Sequence, residues 1–150
     1  MSGPADRSPA DEMALAKTCL HDARAVLDAS PRIAAREAYL AMLHAAHARI
    51  AAASRKVPGT HKGVSIVIGE LYRTSDFRAQ AMLAEVEAWK LAADYGRSAA
   101  ASRGEAEAAI DQAERFVHRM SADIGPDLLV QRIDRATLTA LRHMRDASET

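Results

Sequence analysis

The sequence predicts an all-α protein, an antiparallel up-and-down helical bundle with a helical C-terminal extension. Three observations predict it. Apolar residues recur at three- and four-residue spacing in nearly every segment, which is the pattern of one buried stripe per helix. Stop and cap residues such as Ser30-Pro31, Val57-Pro58-Gly59 and Gly125-Pro126 punctuate those segments. Alanine supplies much of the 49% hydrophobic fraction, in runs such as Ala51-Ala52-Ala53 and Ala99-Ala100-Ala101, and it is the strongest helix former.

Residues 1–9 mix Gly, Pro, Ser and Asp without periodicity and are expected to be disordered. Met13, Ala16, Leu20, Ala23 and Leu27 mark the face of a first helix, and Ser30-Pro31 stops it and caps the second. The second helix, from Pro31 to about Ser54, is expected to turn Ile33, Leu40, Leu43, His47 and Ile50 inward. Thr60 can cap a third helix carrying Val64, Val67, Ile68 and Leu71. The β-branched run Val64 to Ile68 also suits a strand, but no other segment offers it a partner. Thr74-Ser75-Asp76 reads as turn and cap before a fourth helix with Met82, Val86, Trp89 and Ala93 on its inner stripe. Ser102 and Glu105 read as a capping box ahead of a fifth helix with Ala106, Ile110, Ala113, Val117, Met120 and Ile124 along its seam. The bundle thus spans residues 10–125. Residues 126–150, with Leu129, Ile133, Leu138, Leu141 and Met144, form the helical extension that covers the bundle or a partner.

Lys+Arg and Asp+Glu are both 20, so the formal net charge is +0 and no long-range field draws the molecule to nucleic acid or an anionic membrane. Any RNA contact must be local. The single cysteine, Cys19, excludes an internal disulfide, and the absence of a long apolar run predicts no membrane span. The expected compartment is the reducing cytoplasm. Cys19 lies among Leu15, Ala16, Leu20 and Ala23 and reads as a small buried thiol. Because alanine buries little area, the bundle is expected to form a homodimer.

There is no phosphate-binding glycine loop, no cysteine pair, no Gly-x-Ser-x-Gly and no His-Glu-x-x-His. His44 and His47 stand one helical step apart, close enough to share a metal, yet neither follows a Glu-x-x-His pattern, so packing or interface histidines are the competing reading and no metal site is assigned. Lys90, Asp94 and Arg97 at i, i+4 and i+7 share one polar stripe, either an exposed ion-pair ladder or the wall of a groove. His61 and Lys62, at the start of the third helix, are placed to bind an anion or to anchor the loop.

Three segments together carry a family resemblance: Arg36-Glu37-Ala38-Tyr39-Leu40-Ala41-Met42-Leu43-His44-Ala45-Ala46, then Thr60-His61-Lys62-Gly63-Val64, then Ala92-Ala93-Asp94-Tyr95-Gly96. In order and separation they resemble the small stand-alone HEPN-domain proteins. There the second helix reads as an Arg followed by Ala-Tyr-Tyr-Ala-Met-Phe-His-Ala-Ala, the third opens with Thr-His-Lys-Gly, and the fourth contains Arg-x-x-x-Asp-Tyr. Leu40 and Leu43 replace aromatic residues of that pattern, Arg36 lies one position early, and Lys90 stands where Arg is usual. HEPN ribonucleases carry an Arg followed after about four to six residues by a His near the end of the bundle. The fourth helix here has no such His, and Arg55 to His61 meets the spacing only across the Pro58-Gly59 break.

The resemblance implies a dimeric HEPN partner of a minimal nucleotidyltransferase antitoxin in a toxin–antitoxin-like pair, acting without a cofactor. In relatives with such a neighbour a tyrosine after the active-site His is adenylylated, and Tyr95 is the nearest positional counterpart. The enzymatic alternative is a metal-independent endoribonuclease toxin whose composite site forms at the dimer interface. In that version Lys90, Asp94, Tyr95 and Arg97 are the catalytic candidates, with His61 and Lys62 binding ligand. A third alternative is a helical bundle that holds a metal through His44 and His47.

Overall fold

The computed structural model describes residues 7–94, 102–130 and 135–148. Among them lie seven helices and no strand: α1 (Pro9–Val26), α2 (Pro31–Ala52), α3 (His61–Leu71), α4 (Ala79–Asp94), α5 (Arg103–Ile124), α6 (Pro126–Leu129) and α7 (Arg135–Ser148). The run Val64 to Ile68 is helical, as its lack of a strand partner requires. Within the described residues no helix is long and apolar enough to cross a membrane.

Four of the starts have a side-chain cap. Ser8 and Asp11 form a reciprocal capping box on α1, Ser30 Oγ accepts the Ile33 N–H with Pro31 in the first turn of α2, and Thr60 Oγ1 accepts the Gly63 N–H of α3. Ser102 accepts the Glu105 N–H and caps α5. The fourth helix differs from expectation. Ser75 Oγ accepts the Phe77 N–H and so closes the turn, while α4 begins only at Ala79.

α2 is the axis of the bundle, packed against α1, α4, α5 and α3. It buries Ala34, Ala35, Ala38, Ala41, Ala45, Ala46 and Ala48 as well as Tyr39, Met42, Leu43 and Ile50. The expected stripe is corrected at one end, where Ile33 is 39% exposed because the burial follows the alanines around the helix instead of the bulky residues. A fully buried Phe, Met or Ile contributes about 1.5–3 kcal/mol, several times what an alanine methyl does. Phe116, Met42, Ile50, Ile68, Ile110 and Met120 therefore carry the apolar bulk, and the alanines let the helix axes approach. Trp89 is only half-buried against that core. α6 packs on α1 and α5, whereas Leu141 and Met144 of α7 are exposed.

A polar knot ties the α3–α4 turn to the bundle. The Tyr72 hydroxyl donates to Asp123 Oδ2 at 2.5 Å and accepts from Arg49 Nε at 3.2 Å. Arg119 lies over the Phe77 ring at 5.0 Å and bonds Asp123 at 3.0 Å. Burial, then the bond to Asp123, pushes the Tyr72 hydroxyl up to about 12.

Candidate functional site

The first group of chemistry-bearing side chains gathers around Tyr39, which the alternation of alanines along α2 leaves as the bulky residue facing α3 and α4. Its ring is 2% exposed. The His61 ring meets it at 5.5 Å between centroids and 61° between planes, and the Lys90 ammonium lies 5.6 Å from its centroid. Two candidates drawn from separate motifs thus share one aromatic neighbour. Burial, and then the charge of Glu87, raises the Tyr39 hydroxyl to about 12, so it stays protonated near neutral pH. His61 and Lys62 occupy the first two positions of α3 and are exposed.

Gly63 shows why that helix opens as it does. A Cβ there would lie 2.7 Å from Pro58 Cβ and 3.0 Å from Thr60 Oγ1, so the loop packs directly on the helix backbone and the cap survives only with glycine. Asp94 closes α4, whereas Tyr95 and Arg97 lie outside the described residues. The side chains of Arg55 and His61 have different engagements: Arg55 Nη2 bonds Glu70 Oε2 at 2.7 Å and His61 packs on Tyr39. Chemically, a histidine that can move a proton and a lysine that can offset phosphate charge stand on one tyrosine.

A second group lies at the α1–α2 seam. Glu12 is on the first turn of α1, where an acidic residue complements the helix dipole, but its side chain turns inward and is 1% exposed. Its Oε2 is 2.7 Å from His44 Nδ1 and 3.7 Å from His47 Nδ1. Arg7 Nη1 approaches Oε1 at 3.5 Å without hydrogen-bond geometry. Burial is the largest single influence and raises the carboxyl pKa, yet the close contacts with His44 and His47 and the attraction of both imidazoles together outweigh it and hold the pKa at about 2. Local spacing gave the two histidines no carboxylate; the fold brings one from a different helix.

Cys19 is half-buried, and burial followed by Glu37 raises its thiol to about 11, so it is a poor nucleophile at neutral pH. Two cavities, of about 340 Å³ along the α3–α4 turn and about 510 Å³ between the start of α1 and α6, hold none of the candidate residues.

A family model described as HEPN domain matches residues 11–123. The chain belongs to the HEPN-domain family. Its HEPN match runs from the first turn of α1 almost to the end of α5 and leaves α6 and α7 outside it. No curated protein matches the sequence. Both polar groups lie within the HEPN unit, one where its central helix meets α3 and α4 and the other where it meets α1.

Proposed function

We propose that this HEPN protein is the dimeric partner of a minimal nucleotidyltransferase in a toxin–antitoxin-like pair, working in the cytosol. The observation that carries the reading is the shared packing of His61 and Lys90 on Tyr39, at a helix that leads directly into Tyr95. A cation and an imidazole on one aromatic ring suit a face that meets nucleotide phosphate, and the resemblance makes Tyr95 the acceptor. In adenylyl transfer the Tyr95 hydroxyl would attack the α-phosphorus of a nucleoside triphosphate, losing its proton as pyrophosphate leaves.

The test is to coexpress the chain with a nucleotidyltransferase encoded beside it. Copurification and a nucleotidyl mass increment on Tyr95, absent in Tyr95→Phe, are expected. Absence of both with an active nucleotidyltransferase would overturn the reading.

The same grouping of His61 and Lys90 favours a second reading, a metal-independent endoribonuclease. Here Lys90, Asp94, Tyr95 and Arg97 from two subunits line one cleft, and His61 and Lys62 hold the RNA. RNA cleavage by the purified chain in the presence of a chelator, lost in Lys90→Ala, distinguishes it from the first.

A further inference from the structure

Among the described residues, Glu12, His44 and His47 form one group of metal-ligating side chains whose donor atoms all lie within 4.8 Å of one another. The donors come from two helices that pack along their length, α1 supplying the carboxylate and α2 both imidazoles. Two of the polar atoms are buried without a hydrogen bond: Glu12 Oε1 and His47 Nδ1. Buried polar atoms in folded proteins nearly always have partners. His47 makes the gap plain, because it is 6% exposed and its Nδ1 points toward Glu12 from beyond hydrogen-bond distance.

We propose that Glu12, His44 and His47 form a binding site for a zinc-class divalent cation at the α1–α2 seam. Ligand distances of about 2.0–2.2 Å around a tetrahedral ion place neighbouring donor atoms roughly 3.4 Å apart. His47 Nδ1, 3.7 Å from Glu12 Oε2, is already near that spacing, the 2.7 Å hydrogen bond of His44 opens by a fraction of an ångström as coordination replaces it, and the two imidazole donors, within 4.8 Å of each other, close on the ion. The His44 proton on Nδ1 then moves to Nε2, or to solvent if the ring was protonated, and each imidazole offers a neutral nitrogen. Two imidazoles and a carboxylate favour zinc, cobalt or nickel over magnesium and calcium. Three protein donors leave a fourth position for water. That water would lie on the His44 side, since His44 has 19% of its side chain exposed and Glu12 and His47 are enclosed.

The experiment titrates chelator-treated full-length protein with Zn²⁺ against a chromophoric competitor, in excess Mg²⁺. One saturable site per chain is expected, accompanied by a rise in the thermal midpoint. His44→Ala and His47→Ala are each expected to lose that site. A companion variant replaces the exposed His21, His61, His118 and His143 by Gln and is expected to keep it. No saturable site in the wild-type chain overturns the proposal, as does loss of the site in the companion variant or its survival in a folded His47→Ala. Where an alanine variant fails to fold, the companion variant and a four-coordinate visible spectrum with Co²⁺ decide alone, and the absence of that spectrum overturns the proposal.

Discussion

Two polar groups share α2 and are built on opposite principles. Around Tyr39 the polar atoms are at the rim: His61 is exposed, Lys90 is half-buried, and the buried part is an aromatic ring. At the α1–α2 seam the arrangement is inverted, with a charged carboxylate at the bottom and a histidine at the rim. The first group gains its stability from apolar burial and keeps its polar atoms near the surface. The second draws on electrostatics inside the core, where desolvation makes every unmet donor costly. On one helix, exposure therefore separates a group with polar atoms at its rim from one with its charge enclosed.

The largest expected effect is on the Tyr39 side. Tyr39→Ala should lower unfolding stability by about 3–5 kcal/mol, as for other emptied aromatic sites, and release His61 and Lys90 together. Denaturant unfolding checks it; a loss below about 1 kcal/mol would place the ring outside the core.

Glu12 comes next. Its carboxyl falls from 4.5 to about 2 on folding, so the folded state favours the charged form. That contribution, about 3 kcal/mol by linkage, is complete above about pH 4.5 and is lost as pH falls through about 2. Metal-free wild type should lose stability across that window, and Glu12→Gln should be less stable at neutral pH with a flatter acid limb. Equal acid limbs in the two proteins would show the carboxylate to be unpaired.

Trp89→Ala should cost about 1–3 kcal/mol, less than Tyr39→Ala, because the indole is half-buried. A cost above that of Tyr39→Ala would reverse the comparison of the two residues. The smallest effect is Lys90→Ala, at most about 1 kcal/mol for its contact with the tyrosine ring. Its unfolding midpoint should stay nearly unchanged while growth inhibition or engagement of the nucleotidyltransferase weakens. Wild-type behaviour in both assays would leave Lys90 with a packing role alone.

The stripes of α1 and α5 were legible in the sequence because bulky residues mark them: Met13 and Leu27, and Ile110 with Val117 and Met120, are buried as their spacing predicts. The central position of α2 was less legible. A stripe is found from large side chains, and α2 is buried mainly through alanines, which look alike on every face. His61 and Lys90 could be picked out from motifs, but their common neighbour requires three helices to be in place. Glu12 was hidden more deeply. On the first turn of a helix an acid reads as a surface charge complementing the dipole, and its partner His44 is 32 residues away. Tyr72 and Asp123 are hidden in the sequence for the same reason, standing 51 residues apart.

The alanines that line α2 also bear on how the molecule comes apart. A methyl contact has a short reach, and a radial gap of about 0.5–1 Å already forfeits a quarter to a half of its attraction. A loosened bundle, with helices formed but standing slightly apart, would keep little of what holds α2 to α1, α4 and α5. Expanded intermediates are therefore poor refuges for this chain, and docking should be nearly all-or-none. Loss of helical circular dichroism and loss of tertiary signal should coincide in a single transition, without a state that binds hydrophobic dye. A helix made of small residues gives this bundle a sharp boundary between assembled and unassembled.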